Sequence, residues 1–129
     1  MRPRVLVVED NAVSLELVLA LLEVASCEVL TAETANAAVR LATAERPDLI
    51  LMDVQLPDMT GYEAVKRLKT NPATAAIPVI ALTAQAMPGE EARAQAAGCE
   101  GYLTKPLDTH IFLETLRRFL PAGEAEGGA

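Results

Sequence analysis

A chain of 129 residues has room for one domain with a proper core and not for two independent ones. With 51% apolar and 22% charged residues it is no disordered chain, and two Phe, two Tyr and no Trp leave its interior to aliphatic side chains and Ala. A net charge of -7 without any Lys/Arg block argues against nucleic acid or a membrane surface as partner. Its apolar runs are too short for a signal peptide or a membrane span, so the expected location is the cytoplasm. There Cys27 and Cys99, lacking CxxC spacing, are expected to be unpaired structural residues.

In chain order, "RVLVV" (4 to 8) reads as a buried strand that ends in Glu9 and Asp10, and Asn11 can cap a helix over 12 to 25. "CEVLT" (27 to 31) alternates with Glu28 and Thr31 and reads as an edge strand before a helix over 35 to 45. "LILM" (49 to 52) is apolar throughout yet runs straight into Asp53; a helix over 61 to 70 follows. "PVIAL" (78 to 82) leads to Thr83, and an Ala-rich helix over 88 to 97 meets Gly98, a fitting C-cap. "GYLT" (101 to 104) delivers Lys105 and Pro106. Asp108 then opens a helix over 109 to 120 with Phe112, Leu113, Leu116, Phe119 and Leu120 on one face. Residues 1 to 121 are expected to form the domain. Residues 122 to 129, rich in Gly and without large apolar side chains, are expected to form a flexible tail. Met1 just before the first strand favours a complete small protein over an excised piece.

Strands that alternate with helices across short linkers must lie parallel, each helix returning the chain by a right-handed crossover. The fold class is therefore α/β, a doubly wound five-stranded parallel sheet. An edge position for the second strand favours the order 2-1-3-4-5. In such a sheet ligands collect outside the carboxyl ends of the strands, where strand order reverses. Glu9, Asp10, Asp53, Thr83 and Lys105 all fall at that edge. Carboxylates held together there repel one another and need a cation. Oxygen donors without His or Cys suit Mg²⁺, and a metal beside a Lys and a hydroxyl suits phosphoryl transfer to Asp53 as nucleophile. Taken singly, Glu-Asp after a strand can be a turn, and an Asp after an apolar run can be a helix N-cap. The weight lies in their conjunction at four strand ends.

The stretches "VLVVEDN", "DLILMDVQLPDMTGYE", "VIALTA" and "GYLTKP" resemble, in order and spacing, the motifs of the two-component response-regulator receiver domain, over residues 4 to 120. Within that family the chain is similar to stand-alone receivers of the DivK type. The resemblance implies the flavodoxin-like fold and makes Asp53 the phosphoacceptor, served by a phosphohistidine on a sensor histidine kinase or a histidine phosphotransfer protein. It implies that Asp10 binds Mg²⁺ directly, Glu9 through water and Gln55 through its backbone carbonyl. Lys105, in a cis bond to Pro106, would pair with phosphoryl oxygens, with the Thr83 hydroxyl and the Ala84 N–H beside it. Thr83 and Tyr102 would form the switch that resets the surface of the fourth helix, fifth strand and fifth helix. That surface would meet a downstream protein target or a second copy of a phosphorylated chain otherwise monomeric. Gln55 and Gln85 would sit where side chains influence how fast the acyl phosphate is lost to water. His110, the only His, is expected to be a surface residue or partner contact.

Two other functions fit less well. An aspartyl-phosphate hydrolase wants a second acid two residues after the nucleophile, where this chain has Gln55. A flavodoxin-like nucleotide or flavin binder needs a phosphate-wrapping loop after the first strand, where "EDNAVS" would repel a phosphate. The expected protein is a signalling switch with self-catalysed phosphoryl transfer and slow autodephosphorylation, not a metabolic enzyme. Relay intermediate and direct effector are equally compatible with the sequence.

Overall fold

The computed structural model describes residues 2–84 and 87–120. Five strands, β1 (Arg4–Val8), β2 (Glu28–Ala32), β3 (Leu49–Asp53), β4 (Val79–Thr83) and β5 (Gly101–Thr104), alternate with α1 (Ala12–Val24), α2 (Ala35–Glu45), α3 (Gly61–Thr70), α4 (Glu90–Ala97) and α5 (Thr109–Phe119). All strand pairs are parallel and the order is β2-β1-β3-β4-β5, as the sequence pattern predicts. Glu28 and Thr31 are exposed on the edge strand β2, whereas β3 and β4 are buried along their whole length. Expected boundaries shift by one or two residues. The β3 and β4 strands run on to include Asp53 and Thr83; β2 starts at Glu28, not Cys27; α1 ends at Val24 and α5 at Phe119.

The largest correction is at α4, which begins at Glu90, not residue 88. Gly89 precedes it in a left-handed conformation with φ of +90°, which the absence of Cβ permits, and it offers no side-chain cap. Gln85 lies outside the described residues, as do the expected tail at 122 to 129 and the domain end at 121. Cys27 and Cys99 are buried and unpaired.

Apolar side chains fill both faces of the sheet. On one side Leu6, Val8, Ile50, Met52 and Ala81 meet α2, α3 and α4 through Ala38, Ala42, Val65, Leu68 and Ala94. On the other, Val5, Val7, Leu51, Ile80 and Leu82 meet α1 and α5 through Val18, Leu22, Phe112 and Leu116. Because α4 contributes only small apolar side chains, its anchorage depends more than its neighbours' on polar contacts.

Asp58, in the loop after β3, closes the start of α2 across 23 residues of sequence. Its Oδ1 accepts from the Ala35 N–H at 2.9 Å and its Oδ2 from the Asn36 N–H at 3.0 Å, beside the Thr34 side chain that caps Ala37. Those backbone donors hold the Asp58 carboxyl below its usual value of 3.8. A group whose folded value is depressed contributes stability at neutral pH that is lost as pH falls through that folded value. Urea midpoints of the natural chain and Asp58→Asn should therefore differ at pH 7 and converge as pH falls below about 3.8; a gap that stays constant with pH would show that the carboxylate charge does not matter.

Candidate functional site

Each acid reaches the carboxyl edge of the sheet because its strand ends there. Glu9 directly follows β1 and is fixed by its own N–H, which donates to the Ala32 carbonyl at 3.0 Å. Its carboxylate is 1% exposed, with Oε2 accepting from the Asn11 N–H at 3.3 Å. Asp10, the next residue, is exposed. Asp53 closes β3 with its side chain buried, and its Oδ1 accepts from the Gln55 N–H at 3.0 Å. It is not the cap of α3, a role that Thr60 takes.

Carboxylate oxygens of Glu9, Asp10 and Asp53 lie within 4.8 Å of one another. From the end of β5 comes Lys105, whose Nζ is 2.7 Å from Glu9 Oε1 and 3.4 Å from Asp53 Oδ2. The Lys105–Pro106 bond is cis. Together with Asn11, Ser14, Gln55 and Ala84 these residues line one open cleft of about 550 Å³. Thr83 is buried at the end of β4 and lines an adjoining groove that shares Gln55 and Ala84 with the cleft. Tyr102 lines neither; it is half-buried on the edge strand β5 and packs against the core on the α4 side. His110 is exposed on α5, 3.9 Å from Glu114, away from the acids.

Burial, with Asp53 facing it, pushes the Glu9 carboxyl from 4.5 up to about 7, against the pull of Lys105. Burial alone would lower the Lys105 ammonium, but Glu9 and Asp53 more than offset this and raise it. Lys105 therefore stays charged, and the strain of crowding falls on the acids. Three carboxylates against one ammonium leave negative charge in excess. The donors are all oxygen, without His or Cys in the cluster, and the cleft is open to water. That set fits a hard divalent cation which keeps part of its hydration shell, as Mg²⁺ does.

Sequence reasoning did not single out Glu90. It is the first residue of α4, yet only 5% exposed, and its Oε1 accepts from both the Tyr62 hydroxyl at 2.5 Å and the Thr83 hydroxyl at 3.4 Å. A Glu in the first turn of a helix ordinarily reads as a solvated partner of the helix dipole, so nothing local distinguishes this one.

The fold and this cleft define a class, and comparison with known proteins gives the same class. The response regulator receiver domain matches residues 5–117, and the chain belongs to that family, a signalling family and not one of metabolic enzymes. It is 43% identical to the polar-differentiation response regulator DivK of Brucella anthropi, over 90% of this chain and 94% of that protein. It is also similar to the receiver domain of a sensor histidine kinase from Pseudomonas aeruginosa, solved with a magnesium ion coordinated in its active-site cleft; identity is 34%, the TM-score 0.85, with 92% of this chain and 98% of that one covered. A co-crystal of a histidine phosphotransfer signalling protein of Saccharomyces cerevisiae with the receiver domain of its downstream response regulator also matches. There identity is 27% and the TM-score 0.82, with 92% of this chain and 88% of that one covered. Among the described residues no helix is long and apolar enough to cross a membrane.

Proposed function

We propose that the protein is a single-domain response regulator of a two-component or phosphorelay system, acting in the cytoplasm, which accepts a phosphoryl group from a phosphohistidine onto Asp53. The observation that carries this reading is the meeting of Glu9, Asp10 and Asp53 within 4.8 Å, with the Lys105 ammonium touching two of them. An Asp53 carboxylate oxygen attacks phosphorus, an O–P bond forms, and the N–P bond to the donor imidazole breaks; the imidazole leaves with its electron pair and takes up a proton. Glu9, Asp10, Asp53 and the Gln55 carbonyl would hold Mg²⁺, which when bound neutralises charge on the transferring oxygens. Lys105 supplies a second positive charge to those oxygens, while the Thr83 hydroxyl and the Ala84 N–H donate to them.

A donor must cover the mouth of the cleft at Asp10, Asn11 and Ser14. Beside it α1 turns outward Val13, Leu17 and Val24, which are 77%, 43% and 70% exposed and spaced along one stripe. That face suits an apolar helix of a histidine kinase or phosphotransfer protein. Once formed, the acyl phosphate places about -1.5 to -2 charges and three phosphoryl acceptors at Asp53 in place of the single carboxylate charge. Thr83 is drawn toward it, Tyr102 turns, and the surface of α4, β5 and α5 changes for a downstream target or a second phosphorylated copy.

Intact-mass spectra after incubation with acetyl phosphate test this reading. A labile gain of about 80 Da, seen with Mg²⁺ and lost with EDTA, is expected. No gain, or the same gain without metal, would overturn it.

A further inference from the structure

The buried carboxylate at the start of α4 has no part in the chemistry above, yet it touches a residue that does. Glu90 Oε1 is shared by two hydroxyl donors, Tyr62 from α3 and Thr83 from β4. Its Oε2 is 3.7 Å from the Arg93 guanidinium, which in turn lies 5.0 Å from the centre of the Tyr62 ring. Burial first, and the bond to Glu90 second, push the Tyr62 hydroxyl well above its usual value, so it remains a donor. The 2.5 Å bond from Tyr62 is therefore the fixed member of the pair, and the 3.4 Å bond from Thr83 is the looser one.

Asp53 pairs in register with Leu82, so Thr83 stands one residue beyond it on the adjacent strand, between the acid cleft and the groove under α4. A threonine hydroxyl has one proton to donate. Glu90 and a phosphoryl group on Asp53 are both anionic acceptors, and each makes a charge-assisted bond.

We propose that Glu90 is the positioning residue of the Thr83 hydroxyl: it holds that hydroxyl toward α4 in the unphosphorylated chain, in competition with the phosphoryl group, and its release of Thr83 carries the signal into α4. This rests on Asp53 being the phosphoacceptor. Because α4 buries only small apolar side chains beside Glu90, a change in this carboxylate's bonds acts on the helix's main polar anchor. The start of α4, and the Tyr62 and Arg93 contacts that share Glu90, then respond to phosphorylation without passing through Tyr102.

The test is a titration of the full chain with beryllofluoride and Mg²⁺, a non-covalent stand-in for the aspartyl phosphate, followed by amide NMR shifts. Glu90→Gln keeps shape but removes the charge, and should tighten apparent binding by about threefold. Tyr62→Phe leaves Oε1 to Thr83 alone and should weaken binding by a similar factor. In a Thr83→Ala background both changes should vanish. Shifts of the same sign for the two variants, or shifts that persist without the Thr83 hydroxyl, would overturn the assignment, since loosening of the fold would act alike on both. If the natural chain bound no beryllofluoride, or Asp53→Asn bound it equally well, the phosphoacceptor reading itself would fall and take this one with it.

Discussion

Asp53→Asn should show none of the labile 80 Da gain expected of the natural chain with acetyl phosphate and Mg²⁺, and it should fold as well as the natural chain does. The loss follows from chemistry. An amide oxygen is a poor nucleophile toward phosphorus and cannot form a neutralised acyl phosphate. Survival of the fold follows from geometry, because the one Asp53 bond that Asn cannot make, the 3.4 Å bond from Lys105, leaves that ammonium still paired with Glu9. An Asn Oδ1 accepts from the Gln55 N–H as the carboxylate does at 3.0 Å, and Lys105 keeps its 2.7 Å bond to Glu9. The variant also removes one of three mutually repelling carboxylates served by a single ammonium. Its metal-free midpoint in thermal unfolding should then be no lower than that of the natural chain. A full gain of mass at the same rate would mean that another residue is the nucleophile; a large drop in midpoint would mean that Asp53 holds the fold together.

The parts of this site that were legible in the sequence are those fixed by strand ends. Four apolar runs, each followed within a residue or two by Glu9 and Asp10, Asp53, Thr83 or Lys105, become four adjacent parallel strands, and parallel strands bring like ends to one edge. The edge position of β2 was legible for a related reason, since Glu28 and Thr31 are tolerated only where a strand has a solvated face. What stayed hidden depends on long-range packing. Asp58 serves a helix that begins 23 residues before it, and its own neighbours give no hint of that. Glu90 looks like any first-turn acid until Gly89 sets the entry angle of α4 and turns its side chain inward onto Tyr62. The start of α4 and the inward turn of Glu90 are therefore hidden together, where Pro88 and Gly89 break the helical pattern.

Gly61→Ala should lower the stability of the chain by about 2–3 kcal/mol, or roughly 10 °C in Tm for a domain of this size, and slow phosphorylation at the same time. Gly61 is the first residue of α3, where an added methyl would ordinarily be tolerated or even favourable. Here a Cβ would lie 2.2 Å from the Asp53 carbonyl oxygen and 2.9 Å from the Val54 Cα, both of them backbone. Neither can rotate out of the way as a side chain would, so either the start of α3 or the end of β3 must move. The start of α3 is tied down: the Gly61 N–H donates to the Val54 carbonyl at 2.7 Å, and Thr60 caps the helix through the Glu63 N–H at 3.2 Å. The end of β3 is the residue that carries the reacting carboxylate. Displacement there shifts Asp53 relative to Glu9 and Lys105, which are held by other strands, and a shift of tenths of an ångström weakens a constellation built on close contact. Urea unfolding and the rate of mass gain with acetyl phosphate, measured on the same preparation, test both halves of this claim. Unchanged stability would show that α3 yields without cost. A loss of stability with an undiminished rate would show that the loop absorbs the methyl group before the displacement reaches Asp53.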